Sequence, residues 1–162
     1  MGAVSMAATP FVDLNTIDLN HVVVDRDAIY RVLPHAYEFA QLDAIVYLDK
    51  TEYIGVARRD VRADEFWVRG HIPGRPIFPG VLMIETAAQL ASYLTAEMGV
   101  IDKFIGFARV DNVSFRGAVT PPATMYFLMK LVEHRSRRIV GDAQAILDGR
   151  LVFEGRITGM PI

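Results

Sequence analysis

The rhythm of hydrophobic and polar positions changes along the chain, and each change marks an element. Asp25 is a candidate N-cap for a short helix carrying Ile29, Tyr30, Val32 and Leu33, which Pro34 stops. Leu33-Pro34-His35 then turns toward alternating or continuously apolar runs at residues 43–49 and 52–60. Joined by Lys50-Thr51, these read as an antiparallel pair of strands. Residues 61–70, with Phe66 and Trp67, lead to a loop that opens at His71 and holds Pro73, Pro76 and Pro79. From about Gly80 to Met98 nearly every position is apolar, which predicts one long helix with Gly99 as its stop. Beyond it the period becomes that of strands, at 105–115 and, after a break at Pro121-Pro122, at 123–134. Residues 137–147 and 150–158 flank Asp148-Gly149, a strong signal for a tight hairpin.

One long apolar helix among largely antiparallel strands predicts an α+β fold. The helix is apolar nearly all round, so one flat sheet face cannot cover it; a curved sheet wrapping it, a second subunit, or both must do so. Residues 1–25 are expected to form a flexible arm, because Gly2, Ser5, Ala7, Ala8 and Thr9 offer little to bury, and 26–162 a single domain.

Composition narrows the function classes. A chain of 162 residues, 52% hydrophobic and 22% charged, suits one folded domain with a sizeable core. Its net charge of −2 gives no general attraction to nucleic acid or membranes. The absence of cysteine excludes disulfides, thiolate catalysis and zinc–thiolate sites. Met1–Pro10 lacks the pattern of a signal peptide, and the longest apolar segment, about 79–94, contains Glu85 and Gln89 and is short for a membrane span. A soluble, cytoplasmic protein is expected.

The candidate chemistry lies in the loop and helix. Glu85, Gln89 and Ser92 stand at i, i+4 and i+7, hence on one helix face. Burial favours the neutral form of a carboxylate, which suits a group that exchanges a proton, although a polar seam against another element would use the same residues. His71, just ahead of the prolines, is a candidate base held by a rigid loop; alone, a loop histidine is more often a surface residue. The same bland reading is preferred for His21, His35 and His134. The N–H of Gly80, at the helix start, has no intrahelical partner and suits an oxygen that gains negative charge, or simply begins the helix. A base, an acid and an oxyanion donor together suit proton abstraction beside a carbonyl, with loss of a leaving group.

The run His71-Ile-Pro-Gly-Arg-Pro-Ile-Phe-Pro-Gly-Val-Leu-Met-Ile-Glu-Thr-Ala-Ala-Gln89 resembles the signature of the 3-hydroxyacyl-acyl-carrier-protein dehydratases of type II fatty acid synthesis. Weaker likeness extends through Leu33-Pro34-His35, Val61–Phe66 and Val113–Arg116. The sequence departs from the family pattern at Ala36, Glu38, Ile72 and Val119–Ala123. The resemblance implies a hotdog fold, in which a curved sheet wraps the central helix. It implies His71 and Glu85 as catalytic base and acid, and Gly80, Gln89, Phe78 and Val81 as substrate-binding residues. It implies a homodimer, or a trimer of dimers, with each site built from His71 of one subunit and Glu85 of the other. The substrate would ride on the phosphopantetheine of acyl carrier protein and enter an apolar tunnel near Phe78, Phe104 and Phe107, with no metal or diffusible cofactor. Arg58, Arg59, Arg62, Arg69, Arg75 and Arg116 are the candidates for docking the acidic carrier. A thioesterase, a CoA-linked hydratase or a non-catalytic acyl-binding relative would share this fold.

Overall fold

The computed structural model describes residues 9–162 and contains helices α1 (Arg26–Val32) and α2 (Gly80–Glu97). Its strands are β1 (Val24–Asp25), β2 (Ala44–Asp49), β3 (Ile54–Val61), β4 (Ile105–Phe115), β5 (Ala123–Arg135), β6 (Arg138–Leu147) and β7 (Arg150–Pro161). They form one sheet in the order β1-β2-β3-β5-β6-β7-β4, every pair antiparallel. The α+β hotdog architecture expected from the sequence is therefore the observed one.

Local chemistry explains the boundaries. The Asp25 carboxylate accepts from the Ala28 N–H and caps α1, and the chain leaves helical geometry at Leu33, the residue before Pro34. The β6–β7 turn has positive φ at both corners, 49° at Asp148 and 74° at Gly149, the twist that matches a two-residue hairpin. α2 lies across the concave face of the sheet. Leu90, Tyr93 and Leu94 are sealed against Ala57 of β3, Phe127 and Met129 of β5, and Phe153 and Ile157 of β7 in one core cluster. Each of these leucine, phenylalanine, methionine and isoleucine side chains contributes roughly 1.5–3 kcal/mol relative to exposure.

The described part of the N-terminal segment is not a loose arm. Phe11, Val12, Leu14, Ile17 and Leu19 pack on the convex face of the sheet, over a second cluster of Ala44, Val46, Val56, Leu128 and Ile146. The Gln144 side chain clamps this strap, accepting from the Phe11 N–H at 2.9 Å and donating to the Thr9 carbonyl at 3.1 Å. The physical reason is that β2 and β3 are apolar on both faces, so the convex side also needs a cover. Residues 1–8, the rest of the expected arm, lie outside the described residues. On the other side the cover is incomplete: Val81 on α2 is 71% exposed, and Phe107 and Phe115 on the edge strand β4 are half-exposed. Among the described residues, no helix is long and apolar enough to cross a membrane.

Candidate active site

The His71 loop is held by its own hydrogen bonds. Ile72 and Arg75 exchange backbone bonds at 3.2 and 2.8 Å around Pro73-Gly74, and φ of 75° at Gly74 fits the third position of a type II turn. The His71 N–H donates to the Trp67 carbonyl at 2.7 Å, and the Phe78 N–H donates to Val119 at 2.8 Å, tying the loop to its surroundings. On the His71 ring, Nδ1 lies 2.7 Å from the Ile77 carbonyl oxygen. A carbonyl can only accept, so Nδ1 carries the hydrogen of the neutral ring and Nε2 is left with a free lone pair on an exposed side chain.

Glu85 sits on α2 at a cavity of about 80 Å³ lined by His35, Ala88, Gln89, Ser92, Phe104, Ile105, Phe107, Ile139 and Ile157. Its side chain keeps 26% exposure, so it is less sealed than an all-apolar helix suggested. Gln89 Nε2 donates to Glu85 Oε1 at 2.7 Å and to the Phe39 carbonyl at 2.6 Å. Gln89 Oε1 accepts from the Tyr30 hydroxyl at 2.7 Å and from the Gln41 N–H at 3.1 Å. A flipped amide would turn its NH₂ against the Gln41 N–H and its oxygen against the Phe39 carbonyl, so only this orientation is satisfied. Burial is the main cause that pushes the Tyr30 hydroxyl up to about 12, which keeps it a donor; it also accepts from the Leu42 N–H at 2.7 Å.

A second polar cluster supports both parts. Arg59, buried on β3, donates to Gln41 Oε1 at 3.0 Å and to both oxygens of Glu65, and its guanidinium lies 5.1 Å from the centre of the Phe78 ring. Glu65 also accepts from the Arg62 N–H at 2.7 Å and from the Trp67 indole at 3.1 Å. Burial raises the Glu65 carboxyl, but the hydrogen bonds from Arg59, Arg62 and Trp67 and the charge of Arg59 outweigh it and hold it below the usual carboxylate range.

The structure brings together Glu85, Gln89 and Ser92, the face expected from their spacing. It does not bring His71 to Glu85 within the chain: no hydrogen bond or ion pair joins them among the described residues, and His71 does not line the Glu85 cavity. Gly80 begins α2; the next N–H groups, of Leu82 and Met83, turn back to the Pro79 carbonyl, while those of Gly80 and Val81 lead the helix start. A Cβ at position 80 would come within 2.8 Å of the Phe115 ring, so the absence of a side chain lets the edge strand close over the helix start. Phe78 departs from expectation. Its ring is 1% exposed and packs edge-on against Trp67, with centroids 5.4 Å apart, leaving no surface for a substrate. Phe104 and Phe107 do line the cavity.

The basic candidates also divide. Arg59 is internal, while Arg58, Arg62 and Arg116 pair with Asp60, Asp64 and Glu154. Arg69 and Arg75 remain exposed beside His71 and have no ion pair among the described residues. His35, read from sequence as an ordinary histidine, places Nε2 3.5 Å from Glu85 Oε1. Nothing local signalled this; only the Leu-Pro-His turn hinted at a fixed position. Among the described residues, no group of three or more His, Cys, Asp or Glu could hold a metal ion.

A helix wrapped by an antiparallel sheet, with a carboxylate on the helix facing an apolar cavity, defines a hotdog-fold protein. In solved structures the fold recurs in the dehydratase heterocomplex ApeI:P of Xenorhabdus doucetiae, with a TM-score of 0.69 at 17% identity, covering 83% of this chain and 90% of that one. It also recurs in the E. coli PaaI protein of the phenylacetic acid degradation operon, with a TM-score of 0.60 at 16% identity over 83% of this chain and 88% of that one. The model of the FabA-like domain matches residues 33–156, and the chain belongs to that family. It is 33% identical over 145 residues to the 3-hydroxyacyl-[acyl-carrier-protein] dehydratase FabZ of Nitratiruptor sp., covering 85% of this chain and 97% of the relative. The FabZ dehydratase of Campylobacter lari is 32% identical over 143 residues, with the same coverage.

Proposed function

We infer that the protein is a 3-hydroxyacyl-acyl-carrier-protein dehydratase, a hydro-lyase of fatty acid biosynthesis that converts a 3-hydroxyacyl thioester to the trans-2-enoyl thioester. The observation that carries this reading is the Glu85 carboxyl: Gln89 holds Oε1, while Oε2 has no hydrogen-bond partner among the described residues, in the lining of an apolar cavity. His71 Nε2 takes the proton from Cα, and those C–H electrons form the new C=C bond. The Cβ–O bond breaks, and Glu85 Oε2 gives its proton to the departing hydroxyl, which leaves as water. The thioester carbonyl accepts from the Gly80 N–H, with the Val81 N–H beside it at the positive end of the α2 dipole. A proton passing from His71 back to Glu85 resets the pair, and every step uses side-chain and backbone groups of this protein.

Because His71 and Glu85 of one chain stand apart, the working site takes His71 from a two-fold mate, and the protein acts as a homodimer or a trimer of such dimers. The exposed apolar strip of Val81, Phe107 and Phe115 supports that reading. The substrate arrives in the cytoplasm on phosphopantetheine, and Arg69 and Arg75 steer the acidic carrier. Enoyl absorbance with 3-hydroxybutyryl-carrier thioester tests the activity. His71→Ala or Glu85→Gln lowers turnover by about 10²–10⁴-fold; wild-type turnover no higher than theirs overturns the reading, and free-thiol release instead would mark a thioesterase. Charge reversal at Arg69 and Arg75 lowers activity on carrier-linked substrate more than on the CoA thioester, and equal losses exclude a docking role.

A further inference from the structure

His35 is a histidine in the active-site cavity to which the reaction above gives no task. Its ring comes from the turn after α1, with the side chain 22% exposed, and Nε2 points to Glu85 Oε1 at 3.5 Å. Its other nitrogen, Nδ1, is buried with no hydrogen-bond partner among the described residues. Buried polar atoms are nearly always satisfied, and an orphaned one in a site marks a position kept for something other than stability. The orphan also fixes the tautomer: an N–H with no acceptor is the rarer and costlier arrangement, so the hydrogen of the neutral ring is on Nε2, facing Glu85.

We propose that His35 is a positioning residue for Glu85: its Nε2–H closes on Oε1 as that carboxyl loses its proton, sharing the new negative charge with the Gln89 N–H. At 3.5 Å the contact is longer than a hydrogen bond in the resting protein. Catalytic hydrogen bonds are often long in the free enzyme and tighten as charge develops, and an interaction that forms only then raises kcat without tightening substrate binding. The arrangement also divides labour between the carboxyl oxygens. Oε1 faces two N–H groups, so the transferable proton belongs on Oε2. Within one chain, the groups facing Glu85 are His35 from the turn after α1, Gln89 and Ser92 from its own helix, and apolar or backbone surface from β4, β6 and β7, with no other ionisable side chain lining this cavity among the described residues; the mate's His71 is the one ionisable group the proposed dimer adds.

The inference rests on the dehydratase reading for its kinetic consequence but not for the contact itself, and the test separates them. His35→Leu is compared with His35→Gln, which restores a side-chain N–H. Turnover of 3-hydroxybutyryl-carrier substrate by His35→Leu falls about tenfold or more with KM within about twofold, and His35→Gln recovers most of the loss. The melting temperature of His35→Leu holds or rises, because an unpaired buried nitrogen has been removed. In parallel, the Glu85 carboxylate stretch, isolated by infrared difference against Glu85→Gln, shifts in His35→Leu. An unmoved stretch, kcat retained within about twofold, or a His35→Gln enzyme as slow as His35→Leu overturns the proposal. A lower melting temperature with stretch and kcat unchanged assigns His35 a purely structural role and overturns it equally. If wild-type protein forms no enoyl product, the dehydratase reading fails, while the infrared comparison still decides the His35 contact.

Discussion

The molecule holds two buried-side glutamates of opposite design. Glu65, with a side chain 7% exposed, has both oxygens taken by Arg59 and further bonds from the Trp67 indole and the Arg62 N–H. Glu85, 26% exposed, has one strong donor, Gln89, on one oxygen and, among the described residues, no donor on the other. A carboxylate whose lone pairs are saturated by fixed donors is locked as an anion and serves as a strut. One left half-satisfied keeps an oxygen that can carry a proton and release it. Unfilled hydrogen-bonding capacity, rather than burial, separates the carboxyl to which the proposed reaction gives the proton from the structural one. The two are also linked, since Arg59 holds Gln41, whose backbone N–H helps fix Gln89.

Substitutions at the two glutamates should therefore fail in opposite ways. The largest effect expected is on turnover: Glu85→Gln removes the acid and lowers kcat by about 10²–10⁴-fold, while its melting temperature stays at or above that of the wild type. If Glu85→Gln instead unfolds the protein, the contrast collapses. Glu65→Gln does the reverse. It leaves the Arg59 guanidinium buried against a neutral amide and costs about 3 kcal/mol or more in denaturant unfolding. That loss carries a pH signature. The folded Glu65 carboxyl lies below its ordinary 4.5, so its stabilisation is fully present above that pH and is lost as pH falls through the folded value. Wild-type and Glu65→Gln unfolding curves thus converge below pH 4.5, and a gap that persists in acid would mean the carboxylate is not the source. The smallest effect is at the link. Tyr30→Phe leaves the buried Leu42 N–H without its acceptor, costing about 1–3 kcal/mol, and frees the Gln89 amide, lowering kcat severalfold with little change in KM.

Much of this was legible in the chain. The capped α1, the apolar run that became α2, strand β4 and the Asp148-Gly149 hairpin follow from local signals that tertiary packing did not override. Glu85 stood out because a carboxylate in such a helix demands an explanation. The strap was missed although its signal was present: Ala44-Ile45-Val46 and Val56-Ala57 lack polar alternation, so both faces of the sheet are apolar and something must cover the second. The N-terminal Phe11, Val12, Leu14, Ile17 and Leu19 were the available cover. Tyr30, Gln41 and the Arg59–Glu65 pair were not legible as supports of Gln89 and its surroundings, nor was the approach of His35 to Glu85. His35, Tyr30 and Gln41 meet partners on α2 that lie far along the chain, Arg59 and Glu65 meet across a turn, and a lone histidine, or an arginine on a strand, looks the same whether it faces water or the interior. Arg59 among the docking candidates and Phe78 among the substrate contacts were misplaced for that reason.

The Phe115 ring over Gly80 has a consequence for how this chain can drift. A methyl group at position 80 would have to push aside a ring that is half-exposed and able to swing outward, so the helix start and the edge strand are linked through one shared volume. Gly80→Ala alone and Phe115→Leu alone each disturb that volume, and combined they relieve each other. The two positions form a coupled pair in a double-mutant cycle, non-additive by construction. Trimming the ring first clears the way for a larger residue at the helix start, whereas the reverse order must displace the ring, so the easier order of such changes is set by a single contact.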